Sequence, residues 1–311
     1  MTTDIFSDSE TAKGMMTDYH VGTLDEEGKA ALTGEDVQPD PNATPTATFL
    51  EPRAWKKAIL HSKTTVSWDT RVFRFSLEHD AQTLGLPTGQ HMMIRLRDPV
   101  TREAIIRSYT PISETSQNGF VDVLVKVYFD TPERKGGKMS QALESLPIGH
   151  FVDFKGPIGK FEYHSHGACT VSGNPRTIKH FVMICGGSGV TPVYQVMRAV
   201  MQDSSDQTKC TFIDGNRLLE DILLKQDLDS YAAANGQRCK LLYTLTQPPE
   251  EWEGLKGRIA APLLKEHASK AELGVAPGEA MVLICGPEAL EKACHKALLE
   301  LGWSDDDMLF F

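Results

Sequence analysis

The sequence predicts two domains in series, an antiparallel β-barrel followed by an α/β domain on a parallel sheet. Three observations carry that expectation. Between about residues 55 and 165, apolar residues recur with period two. Beyond about Lys179, short apolar runs alternate with amphipathic helical segments. The first of those runs ends in a glycine-rich turn, Cys185 to Pro192 (CGGSGVTP). A length of 311 residues with 41% hydrophobic content suits two ordinary domains.

Taken in order, residues 9–25 (SETAKGMMTDYHVGTLD) predict one short helix with Ser9 as its cap. Residues 25–48 are rich in acids, Pro, Thr and Ala and poor in large apolar groups. Such a segment cannot bury enough surface to offset its ordering entropy. Residues 1–24 are therefore read as the end of a preceding domain, and 25–52 as a flexible acidic linker. Eleven of the 42 acids but two of the 32 bases lie in the first 51 residues, so the remainder is nearly neutral.

Residues 53–165 form the predicted barrel. Phe73, Phe75 and Leu77 alternate with Arg74 and Ser76. Val121, Val123, Val125, Val127 and Phe129 alternate with Asp122, Leu124, Lys126 and Tyr128. QHMMIRL, IIRSYT and HFVDFKG read as further strands between Gly, Pro and Asp turns. Residues 166–311 form the α/β domain, with strands expected at HFVMIC, KCTFID, KLLYTL and AMVLIC. PVYQVMRAVMQ is the clearest helix, with Pro192 in its first position and Val193, Val196, Met197, Val200 and Met201 in one stripe. The last helix, EALEKACHKALLELG, ends at Gly302 as a C′ residue.

Five short stretches carry chemistry. In RSYTPIS, alternation puts Arg107 and Tyr109 on one strand face and Ser108 and Thr110 on the other. LVKVYF likewise puts Lys126 and Tyr128 on one face. Gly136 and Gly137 lead into a helix with Lys138, Met139 and Ser140 in its first turn. Free amides there, with Arg107 and Lys138, suit a diphosphate. Gly186, Gly187 and Gly189 let backbone approach a ligand closely at the start of another helix, again a setting for diphosphate. Cys285, Gly286 and Pro287 end a further strand, and parallel sheets bind ligands beyond such ends. Each piece alone also has a plain structural reading: an edge aromatic, a solvated lysine, a tight turn.

Together and in this order, RSYT, VKVYF, GGKMS, GGSGVTP and CGP resemble the ferredoxin-reductase-like flavoproteins, and within them the cytochrome b5 reductase and nitrate reductase branch. The resemblance covers roughly residues 55–311. It implies FAD on the barrel and NADH or NADPH on the Rossmann-like α/β domain. It implies that Arg107 pairs with the FAD diphosphate, which Gly137, Lys138, Met139 and Ser140 cradle. Tyr109 would lie against the flavin ring, with Ser108 beside it and Thr110 near the reactive edge. Lys126 and Tyr128 would line the channel between the nucleotides, and Thr191 would approach the isoalloxazine. Gly186, Gly187 and Gly189 would receive the dinucleotide. Cys285, with Gly286 and Pro287, would sit by the nicotinamide and position it without acting as a covalent nucleophile. Cys285, Thr110 and Lys126 are thus expected nearest the chemistry. The C-terminal Phe310–Phe311 resembles the aromatic end such enzymes keep near the sheet; an apolar tail folded on the core is the alternative.

Two features pull apart over the dinucleotide. Asp214, 25 residues beyond Gly189, reads as a ribose-binding acid and favours NADH. Yet Thr246 follows YTL where NADH-using relatives carry an acid, and Arg217, beside Asn216, is near enough in sequence to meet a 2′-phosphate. The balance favours NADPH, with NADH the alternative. The N-terminal helix resembles the last helix of a cytochrome b5 domain, and the body is similar to fungal-type assimilatory nitrate reductases. Neither the haem-binding HPGG loop nor a molybdopterin domain is present, so haem and molybdopterin are expected only in a longer enzyme. The expectation is an FAD/NADPH electron-input module, a fragment or truncated product, serving a cytochrome b5-type haem acceptor. The rivals are a free-standing NADH-cytochrome b5 reductase and a catalytically silent remnant that acts as a binding partner.

No apolar run reaches the roughly 18 residues of a membrane helix, and no basic stripe suits nucleic acid. The six cysteines show no metal-binding spacing, which points to reduced thiols in a cytosolic, cytoplasmic protein. A homodimer is left open.

Overall fold

The computed structural model describes residues 48–98 and 101–311. The expected N-terminal helix and most of the acidic linker lie outside those residues. The linker's predicted end does not hold. Phe49 and Leu50 are buried, their N–H groups donate to Thr83 O and Leu84 O, and Phe49 packs edge-on to Phe154. One apolar pair in a polar context is too short for periodicity to reveal.

Six antiparallel strands follow: β1 (Lys56–Thr65), β2 (Thr70–Ser76), β3 (His91–Arg97), β4 (Ala104–Tyr109), β5 (Phe120–Lys126) and β6 (Phe151–Ile158), in the order β4-β3-β6-β1-β2-β5. Period-two alternation sends Phe73, Phe75, Val121, Val123, Val125 and Phe154 inward, all at 3% exposure or less. Each such side chain contributes about 1.5–3 kcal/mol by leaving water. Helix α1 (Lys138–Ser145) lays Met139 and Leu143 onto this core. The ladder does not close into a fully paired barrel. Its edges are β4 and β5, and the chain just beyond β4 reaches β5 across the open seam, where the Ile112 N–H donates to Asp122 O.

A small sheet, β7 (Phe161–Ser165), β8 (Ala168–Val171) and β9 (Asn174–Thr177), leads to the second half. There β10 (His180–Cys185), β11 (Lys209–Asn216), β12 (Cys239–Leu245), β13 (Leu255–Lys256), β14 (Ala280–Cys285) and β15 (Met308–Phe310) form a parallel sheet ordered β13-β12-β11-β10-β14-β15. Helices α2 (Val190–Gln202), α3 (Lys225–Ala234), α4 (Ala261–His267), α5 (Lys270–Leu273) and α6 (Glu288–Glu300) accompany it. The four expected strands are all present; β13 and β15 are too short to show a pattern. The C-terminal aromatics extend the sheet. Phe310 pairs within β15, and Phe311 packs edge-on to Phe161 with its N–H on Ile284 O. Helix α2 starts two residues before the predicted Pro192, because the glycine turn already coils as a 3₁₀ turn. Proline is harmless in a first turn whose amides have no intrahelical partner.

Polar groups on α2 join the halves. Arg198, 6% exposed, donates to Ile112 O at 2.5 Å and Ser113 O at 2.6 Å. Gln195 Oε1 accepts from the Gly89 N–H at 2.7 Å. Leu124, which alternation assigned to solvent, is 3% exposed and sits in the core cluster beneath α2.

Candidate functional site

The open seam is where the sequence-predicted residues gather. β4 carries Arg107, Ser108 and Tyr109 along one edge, followed by the buried Thr110. β5 carries Lys126 at the other edge, followed by Tyr128. Arg107 is exposed, with Nη1 bonded to its neighbour's carbonyl, Ile106 O, at 2.7 Å. Tyr109 is half-buried against the barrel core. Burial raises its phenol well above the usual range, Arg107 opposes this and Tyr128 adds to it, so the hydroxyl keeps its proton.

The chain between β5 and α1 is knitted to Tyr128. The Gly137 N–H donates to Tyr128 O at 2.8 Å, and the Tyr128 N–H to Ser140 Oγ at 3.1 Å. Gly136 donates to Asp130 Oδ1 at 2.7 Å. A Cβ on Gly136 would lie 2.2 Å from Tyr128 O, so only glycine permits this approach. The start of α1 is thereby held under the seam, with Lys138 at its first position and Met139 and Ser140 buried behind it. Its first-turn amides have no partner within the helix. A close backbone, an exposed guanidinium and a flanking phenol fit a flavin nucleotide's diphosphate and ring.

The second set surrounds a cavity of about 640 Å³. Lys126, Trp68 and Asp69 come from the barrel side. Gly186, Gly187, Asn216, Arg217, Thr246 and Pro287 come from the carboxyl ends of the parallel strands. Gly187 adopts φ +57°, the left-handed region, and a Cβ on Gly189 would lie 2.2 Å from Cys285 O. Asn216 Oδ1 accepts from the Gly187 N–H at 3.3 Å, while its Nδ2 is buried without a partner. A glycine-walled cleft with an unused amide donor fits a dinucleotide. Not every predicted amide is free, however. Gly186 donates to Cys285 O, Gly189 to Gly186 O, and Gly286 to Glu291 Oε1.

Several residues stand apart from the cavity wall. Thr191 is buried, and its hydroxyl bonds Ser188 O at 3.3 Å. Cys285 lies behind the turn, and burial, reinforced by Glu291, lifts its thiol to about 12. Asp214, the candidate ribose acid, is 1% exposed and faces Cys185 Sγ at 3.4 Å, away from the wall. Lys126 is on the wall but engaged. Nζ is 3.0 Å from Asp69 Oδ2 and 3.2 Å from Asp221 Oδ1, with side-chain exposures of 17%, 5% and 11%. Burial lowers its affinity for a proton, yet the two carboxylates more than restore it, so the ammonium stays charged.

Trp68, Asp69, Asp221 and Arg258 line the cavity without having been foreseen. Asp69 and Trp68 read as an ordinary SWDT turn in sequence, and Arg258 follows a glycine with no pattern around it. The one legible hint was Asp221, in an acidic EDILL stretch that begins three residues beyond Arg217. Among the described residues, no helix is long and apolar enough to cross a membrane, and no group of His, Cys, Asp and Glu could hold a metal.

Residues 57–163 match the family described as oxidoreductase FAD-binding domain, and residues 183–296 that described as oxidoreductase NAD-binding domain. The chain is 57% identical over 305 residues to a nitrate reductase (NADPH) of Leptosphaeria maculans, covering 97% of this chain and 34% of that protein. It thus spans about a third of the length of that relative. Human NADH-cytochrome b5 reductase 1 is 38% identical over 271 residues, covering 84% of this chain and 86% of that protein. Among solved structures, the cytochrome b5 reductase domain of Ulva prolifera nitrate reductase superposes with a TM-score of 0.79 at 38% identity, covering 85% of this chain and 100% of that one.

Proposed function

This chain belongs to the cytochrome b5 reductase family of FAD- and NAD-binding oxidoreductases, and from that premise we propose that it is the NADPH-driven electron-input module of a nitrate reductase. The observation that carries the reading is the single cavity wall built from both halves, with Lys126 and Asp69 facing Gly187, Asn216, Arg217 and Thr246. Similarity favours this over a free-standing reductase, at 57% identity against 38%. We assign the electron acceptor to a cytochrome b5-type haem and the location to the cytoplasm, where six free thiols are at home.

FAD and the nicotinamide nucleotide, when bound, would supply the hydride and single-electron chemistry, so that the protein's task is placement. Arg107 and the first-turn amides of α1, with Lys138, hold the FAD diphosphate, and Tyr109 and Tyr128 flank the ring. Thr110 and Ser108 complete that edge strand. The glycine turn seats the dinucleotide backbone. Cys285, Gly286 and Pro287 close the strand end behind it, the Cys285 thiol remaining protonated and non-nucleophilic. NADPH is favoured because the wall carries Thr246, Arg217 and Arg258, whereas Asp214 is sealed away from it. Asp69 and Asp221 reach the wall already paired, both with Lys126 and Asp221 also with Arg217, whose Nε lies 3.8 Å from its Oδ2.

The test is spectroscopic. The purified chain should carry flavin absorbance that bleaches with NADPH faster than with NADH at equal concentration. A colourless protein that gains no flavin band from added FAD would end this reading and leave the silent-remnant alternative. Reduction of cytochrome b5 compared with ferricyanide tests the haem acceptor.

A further inference from the structure

Beneath the glycine turn, strand β11 presents Asp214 and Asn216 on one face. They are 1% and 9% exposed. Asp214 Oδ1 accepts from Cys185 Sγ at 3.4 Å, and its Oδ2 has no partner among the described residues. Asn216 Oδ1 holds the Gly187 N–H at 3.3 Å; its Nδ2 has no partner of full hydrogen-bond geometry among the described residues, yet its carboxamide already favours the ionised form of Asp214. An unused acceptor and an unused donor thus lie two positions apart on one strand face, directly under the turn. Buried polar atoms left unpaired are costly and call for a reason.

The groups that face Asp214 are uncharged. Cys185 pairs with it from β10, and Cys285 stands opposite Cys185 on β14. Tyr243 pairs with it from β12 and gives its hydroxyl to Asp229 at 2.9 Å. Among the described residues no cation compensates the carboxyl group; burial raises it to about 7, against the Cys185 thiol and the Asn216 amide, which favour its ionised form.

We propose that Asp214 is a positioning residue of the dinucleotide site: its second oxygen orients the Asn216 amide and so fixes the carboxamide whose oxygen holds Gly187 where the turn receives a diphosphate. This rests on reading the turn as the dinucleotide site. It has a consequence that simple structural support lacks. An anionic diphosphate seated beside an uncompensated buried carboxyl favours the protonated form, so binding takes up a proton near neutral pH.

The experiment is calorimetric titration of the FAD-loaded chain with NADP+ at pH 7.5, in two buffers of different ionisation enthalpy, for wild type, Asp214→Asn and Asp214→Leu. The proton carried by the 2′-phosphate cancels between wild type and variants. Wild type should take up a fraction of a proton per site, and both variants none. Kd should rise about fivefold in Asp214→Leu, the worth of one hydrogen bond, and less in Asp214→Asn, which keeps a carbonyl oxygen for Asn216. Proton uptake unchanged in Asp214→Asn, or a Kd equal in all three proteins, overturns the proposal. If Asp214→Leu does not fold, the proton count of Asp214→Asn decides alone. If wild type binds neither NADP+ nor NAD+, the dinucleotide reading fails and this inference with it; if wild type binds and the variants match it, the inference alone fails.

Discussion

Replacing Lys126 with methionine separates a structural charge from a chemical one. Methionine keeps the length of the side chain and removes the ammonium. Two carboxylates, Asp69 at 3.0 Å and Asp221 at 3.2 Å, then lose their shared cation at positions that are 5% and 11% exposed. Removing one partner from a buried ion pair costs about 3–5 kcal/mol. The low end applies, because both carboxylates keep other donors. Asp69 Oδ1 accepts from the Ser67 and Thr70 hydroxyls at 3.0 Å each, and Asp221 Oδ2 from the Leu218 N–H at 3.2 Å. About 3 kcal/mol corresponds to a fall of roughly 6–10 °C in thermal midpoint for a unit of this size. The wall also becomes more negative by one charge. At about 10 Å and an effective dielectric of about 20, that raises the KM for NADPH roughly tenfold. Thermal melts and steady-state NADPH:ferricyanide kinetics measure both, and kcat should stay within a factor of about two. Adding Asp221→Asn should recover most of the lost stability. A kcat collapse with KM and melting temperature unchanged would show that Lys126 acts in the chemistry and that the ion cluster is incidental.

Arg107→Ala should cut FAD retention by about 10–100-fold while leaving the apoprotein's melting temperature unchanged, since among the described residues the exposed guanidinium bonds only its neighbour's carbonyl; flavin-to-protein absorbance ratios after dialysis measure it. Thr246→Asp should lower kcat/KM for NADPH by more than tenfold and barely alter that for NADH, read from paired kinetics, because a carboxylate on the wall meets only the 2′-phosphate. Arg198→Met strips donors from Ile112 O and Ser113 O and should cost about 3 kcal/mol in chemical denaturation. Asp214 holds its proton up to about 7 in the fold but only to about 3.8 when unfolded, so its contribution declines as pH rises between those values, by at most about 4 kcal/mol. Asp214→Asn should therefore melt well above wild type at pH 8, by a smaller margin at pH 5, and alongside it only as pH approaches 3.8.

Legibility followed periodicity. Strands β2 and β5 were readable by period-two alternation and α2 by its stripe every three to four residues, whereas β10, β11 and β14 were readable as unbroken apolar runs, buried on both faces. Phe49, β13 and β15 escaped because two or three residues cannot display a period. The site was legible where it depends on backbone. Gly136, Gly187 and Gly189 announce close approach, and each has a neighbour or a torsion that excludes a side chain. It was obscure where it depends on charges meeting across the chain. Asp69 and Asp221 lie 57 and 95 positions from Lys126, and nothing local marks either as its partner. Asp214 shows the converse: its spacing from the glycines suited a ribose-binding acid, but its place within β11 turns it inward toward Cys185.

The errors share one physical origin. Alternation assigns each strand an inner and an outer face, and it treats a polar or mixed outer face as wet. Here the outer face of β2 and β5 meets the second domain. Leu124 on that face is therefore core, and Lys126 is a nearly buried cation bound from both sides of the junction. The same holds for α2, whose Gln195 and Arg198 would be solvent residues on an isolated helix but reach Gly89, Ile112 and Ser113 on the barrel. A buried polar contact specifies geometry more tightly than an apolar one, because a small displacement leaves a donor or carbonyl unsatisfied. Two nucleotides that must exchange a hydride need that tightness at the junction and nowhere else. Lys126, Gln195 and Arg198 are thus the polar residues that fix how the barrel seam faces the cavity at the strand ends of the second domain.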